Sequence, residues 1–103
     1  MYIVEIQKAI KEGNFEWRKH TLIRLAQRGI FQDIVLKVIL EGEVIEDYPK
    51  DKPFPSSLIF KMIEHEPYHV VVSFDIESRK AYIITVYEPT LDKFEPDFKT
   101  RRK

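Results

Sequence analysis

A chain of 103 residues makes a single domain and leaves no room for a second core. With 44% apolar and 33% charged residues it can fill an interior and solvate its outside, and with no cysteine it excludes disulfides and thiolate metal sites. Lysine and arginine (17) balance aspartate and glutamate (17), which rules out a wholly basic nucleic-acid binder. The charge is nevertheless segregated, +3 over residues 1–30, −4 over 31–66 and +1 over 67–103, so a local basic surface stays open.

Taken in chain order, three stretches with helical apolar spacing each run up to a glycine, Gly13, Gly29 and Gly42, the position where a left-handed helix end is cheapest. The spacing predicts helices over about 2–12, 19–28 and 32–41, the first the most easily mistaken for a short strand. After Gly42 the texture turns β-branched and aromatic, in the runs EVIEDYP, SSLIFKMIE, PYHVVVSFD and KAYIITVYE. Their short connections (50–55, 65–66 and 76–79) suit hairpins. The expected fold is α+β, with two to three N-terminal helices packed on one face of a four-stranded antiparallel sheet. Residues 90–103 read as a polar tail with two phenylalanines and a basic end. No stretch approaches the length of a membrane span and the opening residues lack a basic leader, so a cytoplasmic location is expected.

On the second helix, at about 100° per residue, Leu22, Ile23, Leu25 and Ala26 fall on one side and His20, Arg24, Gln27 and Arg28 on the other. The competing reading of that polar arc is an ordinary solvated face. In the third strand Tyr68, Val70, Val72 and Phe74 form one set and His69, Val71 and Ser73 the other; in the fourth, Tyr82, Ile84 and Val86 oppose Ile83, Thr85 and Tyr87. A hairpin centred near Ser78 puts His69 opposite Tyr87, and one centred near His65 puts Lys61 opposite His69, giving a row of Lys61, His69 and Tyr87. The competing reading is a structural histidine packed between an aromatic ring and an aliphatic stem. Such a set has the types that metal-independent RNA cleavage needs: a base, an acid and cations for the phosphate. Metal chemistry is not expected, because Pro67 breaks the only helical-type histidine pair, His65 and His69. No glycine-rich phosphate loop or nucleophile elbow occurs.

The order His20, Arg24 and Arg28-Gly29-Ile30, then Gly42-Glu43-Val44-Ile45-Glu46-Asp47-Tyr48-Pro49, Pro67-Tyr68-His69-Val70-Val71-Val72, Thr85-Val86-Tyr87-Glu88-Pro89 and Asp97-Phe98-Lys99-Thr100-Arg101-Arg102 resembles a bacterial and archaeal family of unknown function, DUF4258. That family is similar to the RelE and ParE toxins of the barnase, EndoU, colicin and RelE superfamily. The resemblance implies a RelE-like endoribonuclease toxin paired with an antitoxin, often one with a zinc-finger segment. It implies His20, His69 and Tyr87 as catalytic candidates, and Arg24, Arg28, Lys61, Thr85, Arg101 and Arg102 as substrate-binding candidates. RNA and the antitoxin are the expected partners, with no cofactor, DNA or membrane. The alternative is a non-catalytic module holding RNA or a protein on the same fold.

Overall fold

The computed structural model describes residues 2–103. Ile6, Ala9 and Ile10 recur at helical spacing and are the buried side chains of helix α1 (Ile3–Lys11). A turn at Gly13, with φ +75°, releases the chain into strand β1 (Phe15–Trp17). Helices α2 (Lys19–Arg28) and α3 (Gln32–Glu41) follow, then strands β2 (Glu43–Tyr48), β3 (Ser56–Ile63), β4 (Glu66–Asp75) and β5 (Lys80–Tyr87). Helix limits lie within a residue of those expected. One glycine differs in role: Gly42 is extended (φ −83°), not left-handed. A Cβ there would sit 2.6 Å from the Phe60 carbonyl oxygen and against that of Val38, so Gly42 is what lets α3 end close against β3.

The sheet has five strands in the order β1-β5-β4-β3-β2. The last four form the antiparallel meander, but β1 lies parallel on β5, pairing Phe15 with Ala81 and Trp17 with Ile83. The expected four-stranded, wholly antiparallel sheet is therefore corrected, and with it the RelE-like and endoribonuclease description that the resemblance implied. Three residues are too few to show a strand period, and a parallel partner is brought in by chain that passes through two helices and three strands first.

The three helices cover one face. Leu25, Val35, Val38 and Ile39 pack with Ile6 and Ile10 onto Ile59, Ile63, Val70, Val72, Phe74, Ala81, Ile83 and Val86. Full burial of each large aliphatic chain is worth about 1.5–3 kcal/mol, so this layer fixes which way every strand faces. Two local irregularities then decide what the opposite, open face presents. Glu64 and His65 both have positive φ (50° and 68°), the signature of a two-residue hairpin turn. Phe60, not Lys61, is consequently opposite His69; Lys61 pairs with Tyr68 on the helix side, its ammonium 3.6 Å from Glu41. Between β4 and β5, His69 faces Tyr87 and Val71 faces Thr85 as the parity predicts, but Val72 then faces Ile83 and Ser73 faces Tyr82. Ile84 is the extra residue of a bulge, and beyond it the strand's faces exchange. Ile83 is core and Tyr82 joins Thr85 and Tyr87 on the open face, the reverse of strict alternation for those two residues.

After Pro89 the chain folds back across that open face. Asp97 accepts hydrogen bonds from the Lys99 and Thr100 amides, both at 2.9 Å, which hold its carboxyl at about 2. Glu95 N to Thr100 O (2.8 Å) and Arg102 N to Lys93 O (2.9 Å) close the segment into a narrow loop, with Phe94 buried beneath it.

Candidate anion-binding cleft

The loop and helix α2 face each other across the end of β5 and enclose a cleft of 510 Å³. Its walls are Arg24 and Arg28 from α2, Thr85, Tyr87 and Glu88 from β5, and Pro89, Thr90, Lys93, Phe94 and Arg101 from the loop.

Helix α2 brings its arginines there because its buried stripe is not the one the apolar residues mark. Thr21 and Leu25 face the sheet, while Leu22 and Ile23 are 38% and 46% exposed. The Thr21 hydroxyl donates to the carbonyls of Ile83 (3.2 Å) and Ile84 (2.6 Å), groups that the bulge withdraws from regular pairing. Arg24 and Arg28 are three and four positions along from Thr21 and Leu25, so they flank this seam and reach over the strand end. The Arg28 guanidinium donates to the Val86 carbonyl.

Arg101 is held from the other side. Its Nε and Nη2 meet the two Glu46 carboxylate oxygens at 3.2 and 3.0 Å, and its guanidinium lies 4.8 Å from the Phe94 ring centre. The fork keeps the Glu46 carboxyl below its ordinary range, raises the guanidinium still further, and leaves Tyr48, which donates to Glu46, pushed up to about 12 by burial and that carboxylate. Among the described residues no carboxylate forms an ion pair with Arg24, Arg28 or Lys93.

His69 lies beneath the cleft with 0% exposure, ringed by Phe60, Tyr87 and Phe94. Its Nε2 is 2.6 Å from the Phe98 carbonyl oxygen, which can only accept, so that nitrogen carries the proton. Burial keeps the imidazole pKa below its ordinary value, leaving Nδ1 bare to accept the Tyr87 hydroxyl at 3.1 Å. Burial likewise raises the Tyr87 pKa, so the phenol stays protonated and turns its oxygen lone pairs outward. His69 thus pegs the loop to the sheet and orients Tyr87.

The cleft therefore brings together five of the nine expected site residues, Arg24, Arg28, Thr85, Tyr87 and Arg101. The others lie elsewhere. His69 is buried with both nitrogens engaged; His20 is exposed in the first turn of α2 and does not line the cleft, so the proton-transfer pair is not assembled. Lys61 borders a separate 240 Å³ hollow with Glu41 and Glu43. Arg102 pairs with Glu95 at 3.0 Å and donates to the Leu91 carbonyl within the loop. Lys93, Thr90 and Phe94 were not among the expected site residues; the two phenylalanines of a polar tail were the one signal that it packs down. The arrangement can hold a phosphate through its cations and accept a hydroxyl proton at Tyr87. Among the described residues no group of histidine, aspartate and glutamate side chains could hold a metal ion.

No curated protein and no solved structure matches the chain. A family model does, over residues 17–88, the span from β1 to the end of β5: the chain belongs to DUF4258, a domain of unknown function.

Proposed function

We propose that the chain is an RNA-binding module whose cleft holds the sugar-phosphate backbone without turnover. The observation that carries this is the convergence of Arg24, Arg28, Lys93 and Arg101 on one cleft of a chain whose charges otherwise cancel. Glu88 is the one carboxylate in the lining, and burial raises its pKa. Three guanidinium groups suit phosphate oxygens, since each presents a planar fork of donors. Ribose is favoured over deoxyribose by the outward lone pairs of Tyr87, which accept from a 2′-hydroxyl that DNA lacks.

The test is a salt titration of a labelled single-stranded RNA and the matching DNA, with wild type and Arg24→Ala. Affinity should fall with salt, and the logarithmic slope should become shallower by about 0.7 for each phosphate that a variant no longer neutralises. RNA should bind more tightly than DNA. Binding indifferent to salt and to Arg24→Ala would refute the cleft, and equal affinity for DNA would refute the ribose preference. The same samples run on a denaturing gel in chelator separate holding from cutting: cleaved RNA would overturn binding without turnover.

A further inference from the structure

We propose a second subsite on the same sheet face, the stack of Arg18, Tyr82 and Phe54, which takes a base of the single strand whose phosphates occupy the cleft. The inference rests on the reading of that cleft as RNA-binding. The bulge at Ile84 puts Tyr82 on the open face with Thr85, about 10 Å further down the strand at ordinary strand rise. Phe54 stacks on Tyr82 with ring centres 5.5 Å apart and planes within 8°. The Arg18 guanidinium lies 4.6 Å from the Tyr82 ring centre.

Packing alone gives this cluster one task, to roof the buried Ser56–Ser73 hydroxyl pair (2.9 Å). That task needs Phe54 and Tyr82 but no cation. Lys80, 6.0 Å from the same ring, is neutralised by Glu16 at 3.2 Å. Arg18 is not: among the described residues no carboxylate forms an ion pair with it. Its backbone is anchored, the amide donating to the Ile83 carbonyl at 3.2 Å as the chain enters α2, so an exposed, unneutralised plane of charge is held in place beside two parallel rings. Guanidinium planes and aromatic rings of this kind stack on bases of any sequence. The stack and the cleft share one face and one strand, which suits a polyanion carrying regularly spaced bases and no compact anion.

Fluorescence anisotropy with labelled oligouridylate and an abasic ribose-phosphate oligomer of equal length tests the subsite, with pyrophosphate binding by calorimetry as the readout of the cleft alone. Wild type should prefer oligouridylate, and Tyr82→Leu or Arg18→Ala should erase the preference, a loss of roughly five- to 150-fold, while pyrophosphate binding is unchanged. Equal binding of the two oligomers by wild type, or oligouridylate affinity unaltered in both variants, overturns the subsite and leaves the cleft standing. Absent pyrophosphate binding, with oligomer affinity indifferent to Arg24→Ala, instead overturns the cleft. Arg18 is a surface side chain, so its variant keeps the test valid where Tyr82→Leu fails to fold.

Discussion

Replacing His69 by alanine should unfasten the loop and cost the fold heavily. The imidazole has no exposed surface and bonds the Phe98 carbonyl and the Tyr87 hydroxyl. Alanine strands that carbonyl, worth about 1–3 kcal/mol. It also empties a ring-sized space between Phe60, Tyr87 and Phe94, and large-to-alanine changes in cores cost about 2–5 kcal/mol, of which a small polar ring takes the lower part. The sum is about 3–5 kcal/mol, a large share of the roughly 5–15 kcal/mol of a domain. In urea unfolding followed by circular dichroism, the midpoint should fall by about 2 M for an m-value near 2 kcal/mol/M. Trypsin should also cut at Lys99 and Arg101 sooner than in wild type, because loop opening no longer breaks the Phe98 bond. His20→Ala, at an exposed site, should stay within about 0.5 kcal/mol. A His69→Ala protein within about 1 kcal/mol of wild type, with unchanged trypsin cleavage, would refute the role of His69 as a peg.

Acid should weaken the protein in two stages. Because the folded imidazole pKa lies below the ordinary 6.5, the unfolded chain binds more protons, so stability is full above 6.5 and declines as pH falls below it towards the folded value. His69→Gln should flatten that limb of a plot of urea midpoint against pH. Glu46 and Asp97, both with lowered pKa values, add a second loss as pH falls through the carboxylate range, and His69→Gln should leave it in place. Gly42→Ala forces a methyl group against two carbonyl oxygens and the Ile59 side chain and should cost about 1–3 kcal/mol in the same unfolding assay. Gly13→Ala has open space around it but a φ of +75°, and should cost about 1–2 kcal/mol.

Helix limits were legible because Ile6-Ala9-Ile10 and Val35-Val38-Ile39 repeat at the helical period and Gly13 and Gly29 stop the pattern where a left-handed residue is required. The pairing of His69 with Tyr87 was legible for a similar reason, since strand alternation fixes a hairpin once its turn is located. What escaped was non-local. Thr21 is a better anchor for α2 than Leu22 or Ile23 only because carbonyls of a strand some sixty residues later are unpaired at a bulge, and no period within the helix records that. The bulge is itself silent, for KAYIITVYE alternates as well without it as with it. Lys61 was misplaced by one residue because a two-residue turn at Glu64-His65 has no glycine or asparagine to announce it. For β1 the missing signal is length.

The cleft has two walls of different origin. Arg24, Arg28, Thr85, Tyr87 and Glu88 fall inside the span that the family model matches, whereas Pro89, Thr90, Lys93, Phe94 and Arg101 lie beyond it. The second wall is joined to the first by few attachments: His69 to Phe98, Glu46 to Arg101 and, at 2.8 Å, Glu43 to Lys99. Two of these are exposed ion pairs, each worth at most about 1 kcal/mol, so the buried histidine bond carries most of the docking. That explains why a residue whose position in the strand row suggested catalysis is enclosed: exposing His69 to solvent would forfeit the one bond that makes a cleft out of an open sheet edge. The residues that meet a ligand are then the cations and hydroxyls of both walls, and the histidine acts on the ligand only by holding those walls at their distance.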